Sequence, residues 1–396
     1  MSDPRRRVYL DWNATTPLHP KAREAMLPFL ADPDLFGNPS SVHWYGRRVR
    51  KAVEEARAAV ARLVGARDPW EIVFTSGASE AANHVIRGVV RAYRDKGDHL
   101  VASAVEHAAV KAPCGALAAE GVRTTYVPVD ATGLVDPAAM EAACEDRTIL
   151  VNVMHANNET GTVQPVAEVA RRARTLGLMV HSDAAQTAGK IPIHAPALDV
   201  DFLSGSAHKF GGPKGAGFLY VREGRRLAPL IEGGSHERGR RAGTENVPGI
   251  IGMGAAALAA LEEMEAVAKQ ETGLRDRLWE GIHRHVPGAR LNGSVEHRLP
   301  NTLSISFDGV DWEGLIIALD LEGVAVSTGS ACKAGAVEPS DVLKAMGIPP
   351  ELARGTARFS LGRGTNEADI DYVLEVLPGV IARLRRAPTR AARATG

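Results

Sequence analysis

Short apolar runs alternate with helical patterns between residues 72 and 221, and this alternation restricts the fold more than any other feature. The runs lie at 72–74, 99–103, 124–129, 148–154, 178–182, 202–204 and 217–221. A helical pattern of Val49, Val53, Ala56, Val60 and Leu63 precedes the first and stops at Gly65. Strands alternating with helices predict an α/β fold around a mostly parallel sheet. After Gly249 the texture changes. A long Ala/Leu/Glu-rich helix is expected over 253–285, then strands at 301–307 and 325–327 and a last helix near 370–384. This predicts a smaller α+β domain joined through one long helix, and 396 residues suffice for two domains. The expected division is 18–260 for the large domain, and 1–17 with 261–396 for the small one.

In open α/β sheets, ligands bind beyond the carboxyl ends of the strands, and the unusual polar clusters fall there. TSGASE follows Phe74, VEHAAV follows Ser103, HANNET follows Met154, HSDAAQ follows Val180 and SGSAHK follows Leu203. Gly77, Ala78 and Ser79 open a helix after a strand, where free backbone N–H groups and the helix dipole suit a phosphate. The same residues also read as a tight turn with Ser76 or Ser79 as N-cap. Asp183 is either a helix cap or a buried carboxylate needing a cationic partner, such as a protonated pyridine nitrogen. His107 is either a satisfied structural histidine or an imidazole that stacks on a flat cofactor and handles protons. Asn157 and Asn158 suit turns or hydrogen bonds to a ligand.

A phosphate site, a carboxylate for a ring nitrogen, a stacking imidazole and a lysine at another strand end make the parts list for pyridoxal 5′-phosphate. Its aldehyde condenses with a lysine amine and its ring serves as an electron sink. Lys209 directly follows Ser206-Ala207-His208 at a strand end, whereas Lys214 lies inside the glycine-rich GGPKGAG turn. Lys209 is the better candidate.

Lys+Arg and Asp+Glu both number 47, a balance that points to neither nucleic acid nor an anionic membrane as partner. No apolar segment after the basic N-terminus reads as a signal peptide, and the apolar stretch at 249–261 is too short to span a bilayer. Cys114, Cys144 and Cys332 form an odd set without CxxC spacing, which argues against disulfides and a metal site and for a reducing cytoplasm. Cys114 and Cys144 lie in Ala-rich helical contexts and read as small buried hydrophobes. Cys332 lies in polar, glycine-rich TGSACKAG, with nothing to bury it.

These segments resemble the class V aminotransferases, and among them the NifS/IscS-type cysteine desulfurases. The likeness runs from VYLDWNATTP at 8–17, through GNPSSVHWYG, FTSGASEAAN, MHANNETGTVQP, SDAAQTAGK and RAGTENVPGIIGMG, to RFSLGRGT at 358–365. STGSACKAGAVEPSDVLKAMG at 327–347 resembles the long cysteine loop of the group I enzymes. Trp12, Ser79 and the KAGAV after the cysteine depart from the usual pattern. The resemblance implies the fold type I of pyridoxal-phosphate transferases and a homodimer. It implies that Lys209 carries the cofactor, Asp183 pairs with its ring nitrogen, His107 stacks on the ring, and Gln186 and Asn158 contact the ring-oxygen side. Gly77, Ala78, Ser79, Ser206 and His208 would hold the phosphate, with Thr244 from the neighbouring subunit. Arg358, aided by Asn158, would bind the carboxylate of L-cysteine, and Cys332 would take the sulfur as a persulfide. An acceptor protein, either an iron–sulfur scaffold or a tRNA-thiolation protein, would receive it. Related reactions on this fold are transamination and selenocysteine cleavage, and a non-catalytic sulfur-assembly scaffold is the reading from another class.

Overall fold

The computed structural model describes residues 6–328 and 340–386. Its centre is a seven-stranded sheet. Across it the strands run Ile72–Thr75, Gly217–Val221, Phe202–Ser206, Met179–Asp183, Thr148–Asn152, His99–Ser103 and Arg123–Val127. Gly217–Val221 is antiparallel to both of its neighbours, and all other pairs are parallel. The expected mostly parallel sheet is therefore present. The five strands from His99–Ser103 to Gly217–Val221, apart from Arg123–Val127 at the edge, are buried along their whole length. That is why they read as continuous apolar runs, since helices cover both faces of such a sheet. Alternate residues feed opposite cores: Ile72 and Phe74 pack with the Trp44–Leu63 helix, Val73 with the Ala78–Ala92 helix.

A second, three-stranded antiparallel sheet has Thr302–Phe307 between Ala289–Asn292 and Thr356–Ser360. Its core joins Leu303, Ile305 and Phe359 to Leu315 and Leu319 of one helix, Val373 and Leu377 of the last helix, and Val8 and Leu10 from the chain start. The helix Val247–His285 serves both cores: Ile250, Met253 and Ala257 pack in the first, Leu274, Leu278 and Ile282 in the second.

That helix starts at Val247 rather than 253. Asn246 caps it, its side chain accepting from the Gly249 amide, and Pro248 occupies the first turn, a start signal local to the sequence. The strand expected at 325–327 is only Val324–Ala325, paired with Val8–Tyr9. Ser327 instead exchanges two backbone hydrogen bonds with Arg358, at 3.2 and 2.6 Å. Trp12 lies flat against Gly362, where an added Cβ would stand 1.9 Å from the indole; this bulky departure from the usual pattern is accommodated by a missing side chain. Among the described residues no helix is long and apolar enough to cross a membrane.

Candidate active site

Five strand ends and the N-terminal segment converge on one region. At the first, Gly77 precedes the Ala78–Ala92 helix and no side chain caps it. The opening amides of that helix are thus left to a ligand. Gly217 of the adjacent strand must be glycine here, because a Cβ would come within 2.4 Å of the Gly77 Cα. A Cβ on Gly77 itself would reach toward the Ser206 hydroxyl, at 3.4 Å. The backbone thus closes a narrow cradle of amides with a hydroxyl opposite. Glu80 steadies its rim by accepting from the Ser76 amide at 2.8 Å and from Arg241 at 2.9 Å. Thr244 follows Arg241 in an irregular segment and is exposed.

Asp183 ends the Met179–Asp183 strand, 4 % exposed. Its carboxylate accepts from the Ala185 amide at 2.9 Å and closes a turn; no helix follows it before Ala195, so Asp183 is not a helix cap. Among the described residues no cation lies within ion-pairing distance of it. Burial raises its pKa, and the charges of His107 and Lys209 pull it down. His107 caps the Ala108–Leu117 helix, Nδ1 accepting from the Ala109 amide at 3.1 Å. Its structural and candidate chemical roles therefore use different ring nitrogens. Lys209 closes a short turn after the Phe202–Ser206 strand, and its Nζ donates to the carbonyls of Asn13 at 2.6 Å and Ala14 at 2.9 Å. His208 pairs with the Thr15 hydroxyl, and burial next to Lys209 and Lys214 lowers its pKa to about 4. It is neutral at physiological pH. Lys214 is exposed, as expected of a turn lysine.

Arg358, in the small sheet, is 3 % exposed. It donates to Asp11 Oδ1 at 2.7 Å and to the Asn158 carbonyl at 2.9 Å, while its Nε is buried without a partner. Asn157 makes the turn, its side chain accepting from the Glu159 and Thr160 amides, and leaves Asn158 half-buried beside Arg358. Cys332 and its neighbours Lys333 and Glu338 lie outside the described residues. Of the other cysteines, burial pushes the Cys114 thiol up to about 12 and Cys144 to about 11. Neither is a nucleophile at neutral pH.

The residues that escaped the sequence are those that tie the cluster together. Asn13 receives Lys209 and Gln186 on its carbonyl and Lys190 and Asn301 on its side-chain oxygen. Its amide donates to the Thr302 hydroxyl at 2.9 Å. Glu106 is fully buried under the site. One oxygen accepts from the Met154 amide at 2.6 Å, the other has no partner, and burial raises its pKa to about 8. A protonated Glu106 leaves Asp183 as the local negative charge.

This donor set fits pyridoxal phosphate. The uncapped amides, with Ser206 opposite, suit a dianion. The buried, unpaired carboxylate of Asp183 suits a cationic ring nitrogen. Lys209 stands at the strand end beside it. Among the described residues no group of His, Cys, Asp and Glu is arranged to hold a metal ion.

The aminotransferase class-V profile matches residues 8–373. A relative described as "Cysteine desulfurase IscS" from Dictyoglomus turgidum is 49% identical over 381 residues, 96% of each chain. A solved "NIFS-LIKE PROTEIN" superposes with a TM-score of 0.90 at 38% identity, over 96% of this chain and 100% of the other. Another solved structure, "SspA in complex with cysteine", gives a TM-score of 0.79 at 36% identity, over 89% and 98%.

Proposed function

The chain belongs to the aminotransferase class-V family, and from that premise we propose that its strand-end site is that of a pyridoxal 5′-phosphate-dependent cysteine desulfurase of fold type I. It removes sulfur from L-cysteine, leaving L-alanine and a persulfide on Cys332. Two observations carry the reading: over nearly its whole length the chain is like curated cysteine desulfurases, and Lys209 and Asp183 stand at the ends of paired strands.

When bound, the cofactor supplies an electron sink for charge that develops on the substrate. Gly77, Ala78 and Ser79 with Ser206 and His208 would hold its phosphate, Asp183 would keep its ring nitrogen protonated, and Lys209 would anchor it. His107 would stack on the ring, and Gln186 and Asn158 would contact its oxygen side. Arg358 binds the substrate carboxylate; the planar fork suits a bidentate contact. Lys209 Nζ or His107 Nε2 would move protons on the substrate. The Cys332 thiolate forms an S–S bond with the substrate sulfur as the carbon–sulfur bond breaks. The electron pair stays on carbon, which takes up a proton and leaves as the methyl group of alanine.

In this reading the large domain is 18–260 and the small one 1–17 with 261–396, since Val8 and Leu10 pack in the core of the small sheet. Two copies form a homodimer in which Thr244 reaches the partner's phosphate cradle. Exposed Phe36, Val42, Trp44 and Tyr45 supply an apolar face for it. A sulfur-acceptor protein, feeding cluster assembly or tRNA thiolation, takes the persulfide in a reducing cytoplasm. The test is product analysis of the purified protein with L-cysteine, with and without a 2-oxo acid. Equal alanine and sulfide without the oxo acid support the assignment. Turnover that requires it makes the protein an aminotransferase.

A further inference from the structure

Lys190 is a second amine beside Lys209 to which the proposed mechanism gives no task. Its Nζ donates to Asn13 Oδ1 and to Gln186 Oε1, each at 2.9 Å. Gln186 in turn donates through Nε2 to the Asn13 carbonyl at 3.0 Å, the same carbonyl that receives Lys209 at 2.6 Å. Both amide side chains are buried, at 1 % and 5 % exposure.

An amide oxygen and nitrogen differ only in what they donate and accept, and their orientation follows from their neighbours. A lysine ammonium has donors and no acceptor. Beside two amides it therefore accepts only one orientation of each, with oxygen toward the amine. For Gln186 that turns the NH2 end away from Lys190. One of its hydrogens goes to Asn13, and the second is left for the site. We propose that Lys190 is a positioning residue that locks Gln186 with its N–H groups toward the cofactor, so that Gln186 donates to the cofactor's ring oxygen. This rests on the reading above, in which Gln186 faces that oxygen.

The surroundings make Lys190 more than a packing group. It lines a cavity with Lys209, Glu271, His19, Glu263 and Arg363. Glu271, from the long helix, raises the proton affinity of the amine, whereas Lys209 and Arg358 lower it. Burial brings the pKa of Lys190 down to about 7. The orientation is enforced by the protonated amine, because the neutral form keeps two N–H hydrogens but gains a lone pair that can accept from a flipped amide.

A hydrogen bond donated to the ring oxygen, and a positive charge near it, both ease loss of the proton shared by that oxygen and the Lys209 nitrogen that anchors the cofactor. Removing Lys190 should therefore raise the pH at which the absorbance of the bound cofactor changes. The experiment titrates that absorbance in holoenzyme carrying Lys190→Met, Lys190→Gln or Lys190→Arg, alone and with Gln186→Ala, and measures cofactor dissociation alongside. Met or Gln at 190 should raise the midpoint by about one pH unit and weaken cofactor binding. Arg, also donor-only, should restore much of the shift. With Gln186→Ala present, Lys190→Met should move the midpoint by less than half as much. An unmoved midpoint in a folded Met or Gln variant overturns the proposal. So does an equal shift with and without Gln186, which would mean charge acting alone. Should the wild-type protein bind pyridoxal phosphate with no absorbance that titrates, the cofactor reading fails instead.

Discussion

Arg358 Nη2 lies 2.7 Å from Asp11 Oδ1, and the pair joins the small sheet to the segment that also touches Lys209. Arg358 is buried, and its remaining N–H groups include an Nε with no partner. A guanidinium held at one edge by a carboxylate, with unfilled donors elsewhere, is prepared for a second anion.

Asp11→Asn keeps the shape and removes the charge that orients the guanidinium. A charge-assisted hydrogen bond contributes roughly 1.5–3 kcal/mol. The KM for L-cysteine should rise about tenfold, with a smaller change in kcat. Arg358→Lys, which loses the fork, should cost more than Asp11→Asn. Steady-state kinetics decide, and an unchanged KM in both variants would remove Arg358 from substrate binding.

Lys209, and not exposed Lys214, should be the cofactor's anchor. Borohydride reduction of the holoenzyme followed by peptide mapping should place the pyridoxyl group on Lys209. Lys214→Ala should keep the yellow colour and Lys209→Ala should lose it. A tag on Lys214 would refute the assignment.

Cys332→Ala should still bind the cofactor and still change its absorbance when L-cysteine is added. Neither Cys114 nor Cys144 can replace the thiol, because burial keeps both protonated. Alanine formation should fall by roughly two orders of magnitude or more, and no persulfide should be found on the peptide that spans position 332 by mass spectrometry. Alanine production near the wild-type rate would point to a thiol-independent lyase.

Glu106 should make the protein lose stability as pH rises. Its folded pKa is raised from 4.5 to about 8 by burial, so the folded state holds a proton that the unfolded state releases above 4.5. Its contribution is fully present at low pH and falls between pH 4.5 and 8, by on the order of a few kcal/mol. Glu106→Gln keeps a neutral group of the same shape. The fall in denaturation midpoint from pH 5 to 8 should be distinctly shallower in the variant. Parallel curves would mean that Glu106 is already ionised in the folded protein.

What the sequence determined by itself is what its local patterns encode. Buried parallel strands need apolar runs, and the polar residues that end them then stand at the carboxyl edge of the sheet. Asp183, His107, Lys209 and the Gly77 turn could be proposed for that reason, as could a change of texture after Gly249. The tertiary structure decided the rest. Asn13 reaches Lys209 and Lys190 across 196 and 177 residues, and Arg358 reaches Asp11 across 347. No periodicity or spacing marks a partner so remote, because only folding brings the two together. Nor does sequence say that the pKa of Glu106 is raised, since burial sets the cost of charge and burial belongs to the packed chain.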